Sequence, residues 1–296
     1  MSKNKIRRLT WGEFITLPKQ SFLSFFKGDS FTHGAALAYY AIFAMVPIIY
    51  LSITTFGKVV GQDRVIDIIG DLLKTNMGIE DVTVFTELMY QWEIGGGGSL
   101  ILRVIGGVVI IFTSTAMFNS LRNSLNIFFS IDPIHHYNVV LENLITRLIS
   151  FGMLALFGLL IILVYFGQTL LMAFSSEIFS NDNDVQRIYV FLIEHVSMLF
   201  FNTIIFTLIF KYLHDGYVKW KLAMGGGLFT AILFYLGQLL VNYYLTNFFF
   251  AADSGIAGTL LAILTWIFYT SQIIFLGATF TATYADKVGK PIVPRR

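Results

Sequence analysis

Glu194 and His195 stand side by side inside an apolar run. A carboxyl beside an imidazole can exchange a proton with a bound group. A charge at a helix centre in lipid costs about 2.5–3.5 kcal/mol on insertion scales. Glu194 falls towards the outer third of its run, where protonation or pairing with Arg103 would lower that cost. Its readings are a structural tether, a cavity-lining functional group or a snorkelling side chain. A second polar group follows another apolar run, in "FNSLRNSLNIFF". Spacings of three and four put Asn119, Arg122, Asn123 and Asn126 near one helical face. They could glue helices together or form a polar mouth. Tyr39 and Tyr40, predicted to point to different faces, add phenols to the first run, and Gln272 adds an amide to the last. The set that could line one intramembrane polar cavity or pathway is Glu194, His195, Tyr39, Tyr40, Asn119, Arg122, Asn126 and Gln272. Gln168, Asn202, Gln238 and Asn242 supply further amides, each able to bridge helices for about 0.6–2 kcal/mol.

The elements that must position these groups follow from composition. The chain has 296 residues, 56% hydrophobic and 13% charged. Soluble domains carry about 25% charged residues. Mean hydropathy is +0.72, so the class is integral membrane protein. Six runs reach the roughly 20 apolar residues that a spanning helix needs: 35–57, 100–118, 148–174, 189–212, 222–245 and 256–284. They are continuous rather than alternating, which predicts helices and not barrel strands. Pro47 lies inside the first run, lacks the N–H owed to the carbonyl of Phe43, and predicts a kink there. Gly34, Ala35, Ala36, Ala38 and Ala41 precede it and predict close approach of a neighbouring helix. The expected fold is all-α: a polytopic membrane protein with six transmembrane helices, a kinked first span and short amphipathic helices outside the bilayer.

Fifteen of the 20 Lys and Arg residues fall on the side of both termini, which predicts cytoplasmic termini. The chain reads as one membrane domain over 1–296, with a cytoplasmic interfacial segment at 1–34 and a cytoplasmic tail at 285–296. Within the first segment, Trp11, Phe14, Ile15, Phe22 and Phe25 predict a helix lying on the inner leaflet, as a plain anchor or as a headgroup site. The loop at 58–99 is extracytoplasmic. It should hold two amphipathic stretches, one with Ile66, Ile69, Leu72 and Leu73 and one around Phe85, Leu88, Met89 and Trp92, before the flexible "GGGGS" at 95–99. The basic N-terminus is not followed by an uninterrupted apolar stretch, so no cleavable leader is expected.

Several chemistries lack their residues. There is no cysteine, hence no disulfide, thiolate metal site or thiol nucleophile. The glycines at 95–98 have no Walker lysine after them. His135 and His136 are adjacent in a loop without companion ligands. Basic residues lie at membrane edges among acids, which suits topology better than nucleic acid. No cofactor, no metal and no nucleic-acid partner are expected; membrane lipids are, and a second copy of the chain is open as a partner.

Three stretches together resemble the YihY/BrkB family of bacterial inner-membrane proteins: "GAALAYYAIFAMVPIIYL", "SLRNSLNIFF" and "SGIAGTLLAILTWIFYTSQIIFLGATFTATYAD". Their order and spacing carry the likeness over about residues 20–290. Phe128 stands where the family usually has tryptophan, and Thr279 where it usually has glutamate. The resemblance implies six spans, cytoplasmic termini and a bacterial plasma-membrane location. It also brings an old ribonuclease BN label that the residues do not support, because no His/Asp cluster exists to hold a catalytic metal. The expected protein is not an enzyme. It transports or handles a lipid or small solute through an intramembrane polar cavity; the alternative is a non-transporting scaffold or partner-binding protein in envelope assembly.

Overall fold

Thr10 starts the first helix by reciprocal capping. Its hydroxyl accepts from the Glu13 N–H at 3.4 Å, and the Glu13 carboxylate accepts from the Thr10 N–H at 3.0 Å. This helix, α1, runs Trp11–Lys27 and passes through the exposed Pro18. The computed structural model describes residues 10–77, 100–131, 184–248 and 255–294, with Gly152 and Gly167. Within the helices the side chains of Trp11, Phe14, Pro47, Arg103, Glu194 and Asn242 lie outside the described set. So do the run at 148–174 apart from its two glycines, His135 and His136, the stretch around Phe85 to Trp92, and "GGGGS".

After α1 come α2 (Ser30–Val60), α3 (Gln62–Met77), α4 (Leu100–Phe128), α5 (Asp184–Tyr212), β1 (Gly216–Tyr217), α6 (Trp220–Phe248), α7 (Gly255–Lys287) and β2 (Val293–Pro294). Gly61 has φ +98°, a left-handed conformation that suits glycine and ends α2 sharply. Three helices are long and apolar enough among the described residues to cross a membrane: His195–Tyr212, Trp220–Val241 and Leu260–Lys287. Helix α2 has 31 residues and α4 has 29, roughly 45 Å each at 1.5 Å per residue. The backbone of α2 stays helical through Pro47. Helix α3, with 16 residues, outruns the short stretch expected there, and it buries Val65 while Ile66 and Ile69 are half-buried.

The expected single apolar face of α1 is divided in two. Leu17, Ser21 and Phe25 form a buried seam at four-residue steps, while Ile15, Phe22 and Phe26 are exposed. A helix that contacts protein on one side and a second apolar phase on the other needs both stripes.

The chain divides into two compact units. Unit 1 comprises Met1–Ser30, Arg122–Tyr235 and Ile273–Arg296. Its centre is Phe210, which has no exposed surface. A Cβ on Gly226 of α6 would collide with Thr281 of α7 and come within 3.4 Å of Phe210. A Cβ on Gly277 of α7 would meet Thr230, and Phe210 at 3.0 Å. Such small residues let helices touch where water supplies no driving force for association. The hydroxyls around this junction stay within their own helices. Thr230 donates to the Gly226 carbonyl at 2.7 Å, and Thr281 to that of Gly277 at 2.8 Å. Phe128 stacks on Phe275 at 4.8 Å and on Phe25 at 6.5 Å, carrying the aromatic core to α1.

Unit 2 comprises Phe31–Leu121 and Leu236–Gln272. Gly34, Leu37, Ala38 and Ala41 give α2 a buried face. Gly34 lies under the Gln272 amide and the Ser271 hydroxyl of α7, the latter 2.8 Å from where its Cβ would be. Gly237 of α6 lies under the Tyr269 phenol.

Candidate functional site

In unit 1, the end of α4 meets the turn between α5 and α6. Leu213 still donates to the Ile209 carbonyl at 3.0 Å, and the chain then bends through His214 and Asp215 into β1. The strand β1 pairs antiparallel with β2, Gly216 facing Pro294 and Tyr217 facing Val293. At Gly216 a Cβ would run into Ile131, Ile292 and His214, so only glycine fits between the turn and the C-terminal strand.

Asp215 is gripped from three directions. Arg122 donates to its Oδ1 through Nε at 3.2 Å and through Nη2. Asn126 donates through Nδ2 to Oδ2 at 2.7 Å, and its own Oδ1 accepts from the Asp215 N–H at 2.9 Å. Burial alone would raise the Asp215 pKa. The hydrogen bond and charge of Arg122, then the Asn126 bond, reverse this and hold it below the ordinary carboxylate value. The carboxylate therefore stays ionised and fully engaged, a tie and not a proton acceptor. Arg122 Nη1 is buried and has no hydrogen-bond partner among the described residues.

His214 and Lys211 complete the cluster, both buried. The Gly216 N–H donates to His214 Nδ1 at 2.9 Å, so Nε2 carries the proton and donates to the Phe210 carbonyl at 2.8 Å. The Lys211 ammonium donates to the Val218 carbonyl and lies 4.5 Å from the centroid of Tyr217 and 5.7 Å from that of Trp220. Among the described residues no three His, Asp or Glu side chains are grouped to hold a metal ion.

The structure brings Arg122 and Asn126 together on Asp215. Asn119, on the same helix, is half-buried, whereas Asn123 is exposed. Tyr39 and Tyr40 also come together: their rings meet edge to face at 5.8 Å, and both are exposed. Tyr39 also touches Phe43 at 4.9 Å. The His195 ring meets Tyr235 edge-on at 5.7 Å in unit 1. Gln272 lies over Gly34 in unit 2. Sequence reading missed Asp215, His214 and Lys211, which it counted only as charge at a membrane edge. The available signal was "KYLHDGYVKW", with Lys211, His214, Asp215, Lys219 and a glycine tight against the end of an apolar run.

A family model described as Virulence factor BrkB matches residues 22–295. The chain belongs to the BrkB family. It is similar to a UPF0761 membrane protein of Teredinibacter turnerae, 22% identical over 279 residues, covering 93% of this chain and 61% of that one. A UPF0761 membrane protein of Rhodospirillum centenum is 21% identical, covering 90% and 57%. One from Psychromonas ingrahamii is 39% identical over 72 residues, covering 23% and 24%. The chain thus spans about three fifths of the length of the first two relatives. No solved structure matches it. Relatives named as membrane proteins and long apolar helices agree on a membrane protein. The matched names describe membrane proteins and no enzyme. In this BrkB-family chain Phe128 is a stacked core ring. Thr279 is buried and donates to the Phe275 carbonyl at 2.8 Å.

Proposed function

We propose that this BrkB-family protein handles a lipid or small amphipathic solute in the bacterial plasma membrane, with six spans and cytoplasmic termini. In this reading unit 2 makes the contact and unit 1 serves as frame. The observation that carries it is the aromatic ladder of Tyr39, Tyr40 and Phe43, exposed on an apolar helix. Pro47 has no N–H for the Phe43 carbonyl, so an acceptor is freed at the foot of that ladder. Hydrocarbon satisfies neither phenols nor a free carbonyl. A headgroup or polar solute that carries both a donor and an acceptor satisfies both. Gly34, Ala38 and Ala41 on the buried face leave the aromatic face as the one that meets cargo.

The test is transbilayer movement of a fluorescent phospholipid in vesicles containing the purified protein. The double substitution Tyr39→Phe and Tyr40→Phe keeps the rings and removes the hydroxyls. Movement faster than in empty vesicles and slowed by the double substitution supports the reading; movement no faster than in empty vesicles, or equal in both proteins, sinks it. A scaffold is the second reading, favoured by the seams of unit 1, whose threonine hydroxyls are spent within their own helices. It expects a second copy or another envelope protein to cover the ladder, and a Tyr39→Phe, Tyr40→Phe protein with altered oligomeric state. Glu194 and His195 belong to unit 1 and are tested apart from the ladder: Glu194→Gln that alters movement without loss of fold adds them to the pathway, and unchanged movement makes them part of the frame.

A further inference from the structure

We propose that the surface at the α5–α6 turn, built from Tyr212, Tyr217, Lys219, Trp220 and Lys290, holds the phosphate of an anionic phospholipid headgroup. This goes beyond the cargo reading, because it concerns a resident lipid on unit 1. The antiparallel register of β1 with β2 runs the residues after Tyr217 alongside those before Val293, and so turns Lys219 towards the segment that holds Lys290. The Lys290 ammonium is held below its ordinary pKa, by partial burial first and then by the positive charge of Lys219. Like charges near one another repel, and an anion between them relieves that repulsion. Neither lysine has a carboxylate partner among the described residues: Asp215 is bound by Arg122, and Asp286 makes no ion pair. Lys211, seated beneath Tyr217 and Trp220, adds to the positive field from below.

The aromatic side chains place this charge at the right depth. One membrane-length segment ends at Tyr212 and the next begins at Trp220. Tyrosine and tryptophan at span ends settle at headgroup level. Tyr212, Tyr217 and Trp220 are all exposed, and Tyr212 meets Trp220 edge to face at 6.0 Å. Below them Met224, Leu228 and Ile232 form an exposed apolar stripe on α6, at four-residue steps, where an acyl chain can lie. Paired ammoniums, flanking rings and an apolar track match the order of groups in a phospholipid from phosphate to tail. Basic clusters beside spans are attracted to anionic leaflets at about 1 kcal/mol per lysine.

The experiment is native mass spectrometry of the full chain released from mild detergent after exchange into phosphatidylglycerol or phosphatidylcholine. One retained phosphatidylglycerol per chain is expected, with about thirtyfold weaker retention when Lys219→Gln and Lys290→Gln are combined. Lys219→Arg with Lys290→Arg keeps both charges and must keep the lipid. This second variant separates loss of charge from loss of fold, which thermal unfolding in lipid-free detergent reports directly. Equal retention of the two lipids, unchanged retention in the glutamine variant, or loss in the arginine variant overturns the proposal. Displacement by inorganic phosphate at concentrations comparable with the lipid assigns the site to free phosphate and also overturns it.

Discussion

Helices α6 and α7 meet in both units, and the two contacts are built from different parts. In unit 1 Gly225 meets the ring of Tyr284, but the tighter contacts are with threonines: Gly226 is covered by Thr281 and Gly277 by Thr230. These side chains are short, and their hydroxyls are fixed to their own backbone carbonyls. In unit 2 Gly237 is covered by the tip of Tyr269, and Gly34 of α2 by the tip of Gln272. Those are the far ends of longer side chains that can rotate away. The difference teaches that close approach does not by itself make a rigid joint. Rigidity depends on whether the covering group has anywhere else to go.

Paired substitutions break or sharpen that contrast. Gly277→Val forces a branched side chain against Thr230 and Phe210, and should cost about 3 kcal/mol or more, read as a large fall in thermal midpoint in detergent. Gly237→Ala should cost under about 1 kcal/mol, because the Tyr269 tip can shift. Equal costs would abolish the distinction between the units. Asp215→Asn is next in size. It leaves Arg122 without its carboxylate, and since both side chains keep some exposure we expect about 2 kcal/mol, below the roughly 3–5 of a fully buried pair.

The same tie sets a pH dependence. The folded pKa of Asp215 lies below its unfolded value. The stabilisation is therefore complete above the ordinary carboxylate range and is lost as pH falls through the lowered value. Unfolding midpoints of the native chain should drop faster than those of Asp215→Asn as pH falls below the ordinary carboxylate value. Smallest of all is Tyr39→Phe with Tyr40→Phe. Exposed hydroxyls in unit 2 should leave stability within about 0.5 kcal/mol, whatever happens to lipid movement. A large loss of stability there would make the ladder part of the frame.

Apolar length was readable for the elements that hydropathy governs. The expected run at 222–245 became Trp220–Phe248, and that at 256–284 became Gly255–Lys287. The polar continuation of the second run is also seen, since α4 extends to Phe128. What the residues could not give was partnership. Arg122 and Asn126 were legible as a stripe, but their partner Asp215 lies about ninety residues on, and no local period links them. Tyr39 and Tyr40 show the opposite limit. Neighbours in a helix diverge by about 100°, but long side chains can lean together when both faces are open. The two stripes of α1 were read as one because five apolar residues in a short helix do not say how many surfaces they serve.

The pairing of β1 with β2 also has a place in time. Val293 leaves the ribosome roughly 75 residues after Tyr217, a delay of about 4–15 s at about 5–20 residues per second. Until then the α5–α6 turn has α4 to hold it but no strand beside it. Lys219 is made early and waits for Lys290. The turn is thus a late-maturing part of the molecule, finished after the helices that flank it are already in place.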